Sequence, residues 1–125
     1  MAIRRYGTWP AALDADLVAR ASNPRYCAVD VTDDRVRWAE ARAHEGGRSV
    51  VVEARGGTIV DLIPAGANAR TRAHEYGGGA VWYHEDAVFY SDFSDGRLYR
   101  VDGAGAEPHA ITPAPPEPHA YRFAD

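Results

Sequence analysis

Arg70-Thr71-Arg72-Ala73-His74-Glu75-Tyr76-Gly77-Gly78-Gly79 stands between two segments that read as the same small antiparallel sheet written twice. Before it, apolar runs at residues 26–31, 36–41, 49–53 and 58–63 are separated by Thr32-Asp33-Asp34, Glu45-Gly46-Gly47 and Arg55-Gly56-Gly57, which are turn chemistries. After it, runs at 80–83, 87–93, 97–101 and 109–112 are punctuated by His84-Glu85-Asp86, Ser94-Asp95-Gly96 and Asp102-Gly103-Ala104-Gly105. A four-stranded unit recurring at roughly 50 residues marks a β-propeller blade, a sheet that buries its faces only by stacking on neighbours.

The expected fold class is all-β: two four-stranded antiparallel blades of an incomplete β-propeller, preceded by a short N-terminal helix. The divisions fall at 1–24 for a lead-in with the helix, 25–66 for the first blade, 67–79 for the inter-blade junction, 80–113 for the second blade, and 114–125 for a linker and the start of a third blade. A closed ring takes at least about four blades, so two read as part of a larger assembly. Two uncovered faces and open edges predict self-association of the isolated chain.

Composition narrows the function. Apolar residues make up 46%, which is ordinary for a globular protein and argues against disorder. The net charge is −4, and the fourteen basic residues, all arginine, are scattered among eighteen acids. Nucleic-acid binding needs a clustered basic footprint, so no nucleic-acid partner is expected. The single cysteine, Cys27, makes no internal disulfide and requires no oxidising compartment. Arg4 and Arg5 are followed by Asp14 and Asp16 rather than by an apolar leader core, and no run reaches membrane-spanning length. A cytoplasmic protein with no membrane partner is the expectation.

Residues 11–21 are the helical candidate, with Leu13, Leu17 and Val18 on one face, Asp14 and Asp16 near the positive end, and Asn23-Pro24 as the stop. This face is expected to pack on the first blade. Within that blade Val36, Trp38, Glu40 and Arg42 share one strand face, and Arg35, Arg37, Ala39 and Ala41 the other. Glu40 and Arg42 read as a satisfied ion pair. The continuous runs at 50–52 and 59–63 read as strands covered on both sides. Trp82, Tyr83, Phe89, Tyr90, Phe93 and Tyr99 read as inter-blade core, and Asp95-Gly96 as hairpin chemistry.

At the junction, three consecutive glycines predict a positive φ or a close approach. His74-Glu75 begins like a zinc-peptidase motif, but Gly78 stands where the second histidine belongs, and glycines cannot continue a helix. His44, His84, His109 and His119 show no ligand spacing with His74 or Cys27, so no metal is expected. No calcium-binding loop of the helical-hand form is present. Gly47-Arg48-Ser49-Val50-Val51 lacks the closing glycine of a nucleophile elbow, and Ser22, Ser91 and Ser94 have no better claim. No glycine-rich loop opens a helix to cradle phosphate. The residues predict no catalytic group and no cofactor.

Tyr6-Gly7-Thr8-Trp9-Pro10, Trp38-Ala39-Glu40-Ala41-Arg42 with Glu45-Gly46-Gly47-Arg48, the Arg70–Gly79 junction, and Tyr90-Ser91-Asp92-Phe93 with Arg97-Leu98-Tyr99-Arg100 occur in that order. In this the chain resembles the N-terminal propeller of the prolyl oligopeptidase family of serine peptidases, in its dipeptidyl-peptidase and acylaminoacyl-peptidase-like branch. The His-Glu-Tyr-Gly-Gly-Gly run is the most specific part. The resemblance implies a seven-bladed propeller and a C-terminal α/β-hydrolase domain as partner, with the Ser-Asp-His triad wholly in that second domain. It implies a propeller that gates access of peptide substrates, with Arg72, His74 and Glu75 as the candidates for facing the substrate cavity. An independent binding or lactonase-like propeller fragment is the alternative, because Tyr90-Ser91-Asp92-Phe93 and Arg97-Leu98-Tyr99-Arg100-Val101-Asp102 are also similar to sugar-lactone hydrolases. Stabilisation by calcium separates the two readings.

Overall fold

The computed structural model describes residues 7, 13–20, 22–32, 34–74, 78–118 and 120–124, with the side chains of 22–28 excepted. A short helix α1 (Ala15–Arg20) is followed by β1 (Ser22–Thr32), β2 (Arg35–Arg42), β3 (Arg48–Arg55) and β4 (Thr58–Asp61). The second set is β5 (Val81–His84), β6 (Ala87–Ser91), β7 (Leu98–Asp102) and β8 (His109–Ala110). Each set forms one four-stranded sheet in sequential order, every neighbouring pair antiparallel. These are the two meanders expected of two blades, and they do not close on each other.

The turns follow their chemistry. Gly56 and Gly57 both take positive φ, 55° and 81°, the pair of left-handed residues that a two-residue hairpin consistent with strand twist requires. β1 begins at Ser22 and runs through Asn23-Pro24. Proline is tolerated there because β1 is an edge strand, where a missing N–H need not interrupt the ladder. The β1–β2 register is irregular between Arg25 and Val29.

The faces come from the register. Arg37 pairs with Glu53, Ala39 with Val51 and Ala41 with Ser49, and this face looks toward the second sheet. In the second sheet, Val81, Tyr90, Tyr99 and Ala110 form one cross-strand row, and Tyr83, Val88 and Val101 the next. Ala39, Val50, Val51, Val52, Val88, Tyr90 and Val101 are all at most 3% exposed within one core cluster, against which Trp38, Tyr83 and Tyr99 pack. Each fully buried valine contributes roughly 1.5–3 kcal/mol relative to an exposed one.

Two expectations are corrected. The helix occupies only Ala15–Arg20, and Leu13, Leu17 and Val18 remain exposed rather than packed on the first sheet. Residues 11, 12 and 21 lie outside the described residues. The run 59–63 is not covered throughout: Leu62 and Ile63 are buried, but Ile59 is 65% exposed. Its row, Val31, Val36, Ala54 and Ile59, crosses all four strands on the face turned away from the second sheet. Among the described residues no second sheet covers this row, although Val50 and Val52 farther along the same face are buried. No helix among the described residues is long and apolar enough to cross a membrane.

Candidate functional site: the junction between the sheets

The chain after β4 stitches the two sheets together. Asn68 Oδ1 accepts from Ser49 N at 2.9 Å, and Ala69 N donates to Ser49 O at 2.9 Å, which anchors the junction to β3. Arg70 N then donates to Ser91 O at 3.0 Å and Phe93 N to Asn68 O at 2.9 Å, which anchors it to the end of β6. The segment is locally extended, so side chains alternate. Ala69 and Thr71 are buried, and Arg70 and Arg72 project outward.

Both outward guanidiniums lie over the ring of Phe93, Arg70 at 4.8 Å and Arg72 at 3.9 Å from its centroid. Thr71 Oγ1 accepts from Ala73 N at 3.1 Å, which curls the chain, and His74 follows with φ of 58°. A left-handed φ on a residue with a Cβ is uncommon and marks a constrained bend. Among the sequence candidates, Arg72 and His74 thus sit together on the exposed side of the junction, while Glu75 lies outside the described residues, as do Tyr76 and Gly77 of the glycine run. Most of the Tyr6–Pro10 motif and His119 lie outside them too, and nothing describes the Cys27 side chain.

The neighbouring turn is held by two aspartates. Buried Asp92 accepts from Ser94 N and Oγ at 2.8 and 2.6 Å and from Asn68 N at 3.2 Å. Asp95 accepts from Arg97 N at 2.9 Å and from Tyr99 OH at 2.7 Å. Burial and the Asp95 contact push the Tyr99 hydroxyl up from its ordinary pKa; burial does the same to Tyr90, whose ring stacks on Tyr99 at 5.5 Å. Gly96 closes the turn with φ of 74°, and a Cβ there would stand 2.8 Å from the Tyr121 carbonyl oxygen. A small cavity of about 10 Å³, the room of one water, lies between Thr71, Arg72, Asp92, Phe93 and Tyr121.

The opposite end of the sheets is sealed by charge. Arg37, 1% exposed, donates Nε and Nη2 to Asp30 Oδ2 at 2.9 and 2.7 Å, and Nη2 also to the Glu85 carbonyl at 2.8 Å. Arg35 donates to Asp86 and to the same carbonyl, and its guanidinium holds the Asp86 carboxyl below its ordinary pKa. On the outer face Glu40 accepts from both Trp38 Nε1 and Arg42 Nε, and Arg42 forks onto Asp61 at 2.8 and 2.6 Å. The Glu40–Arg42 pair is therefore satisfied, as its position beside Trp38 implied.

Ser49 and Ser91 are buried, and Ser94 is bound to Asp92. Among the described residues, no three His, Cys, Asp or Glu side chains converge as a metal site. Sequence reading missed Arg70 and the exposed role of Phe93. The available signal was the alternation Arg-Thr-Arg, which puts both arginines on one side of an extended chain.

No protein-family model and no curated protein matches the chain. Among solved structures, a puromycin-hydrolyzing peptidase of Mycobacterium tuberculosis superposes over 100% of this chain with TM-score 0.85 and 40% identity. A puromycin hydrolase variant crystallised in complex with PGG superposes over 90% with TM-score 0.74 and 32% identity. The chain spans only 20% and 18% of the lengths of these two proteins. Both are prolyl oligopeptidase family members, and this chain, with its paired meanders, matches a part of each.

Proposed function

We propose that the chain is the non-catalytic N-terminal propeller part of a cytoplasmic serine peptidase, in which it gates substrate access to a C-terminal α/β-hydrolase domain. The observation that carries this reading is the match of the whole chain, at 40% identity, to one fifth of a puromycin-hydrolyzing peptidase. The exposure of Val31, Val36 and Ile59 along one row supports it, because a blade inside a ring has its outer face covered by the next blade. On this reading Arg72, His74 and Glu75 face the cavity between propeller and hydrolase. Substrates of the parent enzyme are then short peptides, in keeping with a relative that is a puromycin-hydrolyzing peptidase.

The test is hydrolysis by two forms. The 125-residue chain alone is expected to leave puromycin and peptide nitroanilides intact, whereas the polypeptide translated from the uninterrupted reading frame is expected to cleave them. Turnover by the pure 125-residue chain overturns the proposal, and so does a frame that encodes no Gly-x-Ser-x-Gly elbow.

A further inference from the structure

We propose that Arg70 and Arg72, which both lie over Phe93, form a binding site for a carboxylate from outside this chain. Arginines of the first sheet have found their anions: Arg35 meets Asp86, Arg37 meets Asp30, Arg42 meets Asp61 and Arg48 meets Glu45, while Arg97 of the second donates to the Thr112 carbonyl. Arg70 and Arg72 meet no carboxylate among the described residues, and both place their charge on one aromatic ring. Two like charges sharing a ring repel each other, and an anion that reaches both offsets that cost.

The carboxylates near at hand are already committed. Asp92 lines the same small cavity as the two arginines, yet its oxygens accept from Ser94 and Asn68; Asp95 accepts from Arg97 N and Tyr99 OH. The arrangement is also preorganised. At 3.9 Å from the centroid the Arg72 guanidinium is in contact with the ring, and the N–H groups it does not turn to the ring are of the kind that grips a carboxylate with two parallel hydrogen bonds. The backbone beneath is fixed from both sides, by Ser49 through Ala69 and by Ser91 through Arg70. The inference stands on these contacts and does not depend on the peptidase reading.

The experiment follows the arginine side-chain Nε–H NMR resonances of the 125-residue chain during titration with N-acetylglycine, its amide, and inorganic phosphate. N-acetylglycine is expected to shift the Arg70 and Arg72 signals saturably, and the amide to leave them in place. Arg70→Gln or Arg72→Gln is expected to weaken the response about tenfold, the scale of one charge-assisted hydrogen bond. Arg72→Lys, which keeps the charge but loses the fork, should weaken it as well, while Arg20→Gln should not. Both arginines are exposed, so these variants retain the fold. Equal shifts with the amide, no shift with the acid, or displacement by equimolar phosphate overturns the carboxylate assignment. Repeating the titration on the longer translated polypeptide identifies the source. Signals that respond there assign the site to a diffusible ligand; signals already shifted and unresponsive assign it to a carboxylate of that polypeptide.

Discussion

Arg37 of β2 and Glu85 of the β5–β6 turn stand 2.8 Å apart, guanidinium Nη2 to backbone carbonyl, so that a strand of one sheet holds the hairpin of the other. Glu85 has a φ of 52°, an uncommon backbone state for a residue with a side chain. The same carbonyl accepts from Arg35. The two arginines thus hold the left-handed turn in place while joining the sheets.

Arg37→Leu leaves the Asp30 carboxylate and the Glu85 carbonyl without this partner, and removes a cation that lies 4.7 Å from the Tyr83 ring centroid. Breaking one side of a buried charge-paired network costs about 3 kcal/mol. Arg37→Lys is expected to recover little, because one ammonium cannot serve Asp30 and Glu85 in the fork geometry. Urea denaturation followed by tryptophan fluorescence checks both, and unchanged midpoints would show the contact to be dispensable.

Acid should loosen this end and, at the far end of β2, the turn that holds Glu45. Hydrogen bonding from Arg35 lowers the Asp86 pKa from its ordinary 3.8, and hydrogen bonding from Arg48 and Arg42 lowers that of Glu45 from 4.5. A carboxyl whose folded pKa is depressed contributes stability that is complete above its unfolded pKa and is lost as pH falls through the folded one. Melting temperature is therefore expected to hold down to about pH 5 and then decline. Asp86→Asn should melt lower at pH 7 and converge on the parent protein in acid. Parallel curves for the two would remove Arg35–Asp86 from the account.

Much of the architecture was legible because it rests on local signals. Alternating strand faces and the glycine turns 46–47, 56–57 and 95–96 mark both meanders, and Trp38 beside Glu40 and Arg42 marks a satisfied pair. The ties between sheets were not legible. Arg35 and Arg37 bond to backbone carbonyls of Glu85 and Asp86, and a carbonyl leaves no trace in residue identity. Phe93 was read as core because aromatics usually are, yet it is half-buried beneath Arg70 and Arg72. The apolar helix face misled similarly, since a stripe of leucine and valine does not say what covers it.

The Tyr99–Asp95 contact predicts a response to base. Burial and the hydrogen bond to Asp95 raise the Tyr99 pKa above its ordinary 10.0, and burial raises that of Tyr90. A raised folded pKa gives stability that is complete below the unfolded value and lost as pH climbs through the folded one. Unfolding above about pH 10 is expected to coincide with tyrosine ionisation in the ultraviolet. Tyr99→Phe deletes one hydrogen bond to a charged acceptor and should cost about 1.5 kcal/mol at neutral pH. Ionisation that precedes unfolding would show these hydroxyls to be accessible.

Gly96→Ala tests how the C-terminal stretch is held. The substitution forces a left-handed residue to carry a Cβ, which costs about 1–2 kcal/mol. It also sets that Cβ 2.8 Å from the Tyr121 carbonyl, so one of the two backbones has to move. Residues 120–124 should detach before the turn breaks, since the turn is anchored by Asp92 and Asp95. Trypsin cleavage after Arg122 is expected to accelerate in Gly96→Ala while urea midpoints fall only modestly; equal cleavage rates would leave the close approach without consequence.

The open outer face predicts association. Val31 is 67% and Ile59 65% exposed, at opposite edges of one row that also contains Val36 and Ala54, and nothing described covers them. An uncovered apolar row running from one edge strand to the other favours pairing with a second copy. The isolated 125-residue chain is therefore expected to run as dimers or larger species in light scattering at micromolar concentration. Val31→Lys with Ile59→Lys places two like charges on the contact and should shift the population to monomer, with little effect on the fold because both side chains already face solvent. A sharp monomer peak for the unsubstituted chain, with cooperative unfolding, would show that two blades suffice to keep this face in water.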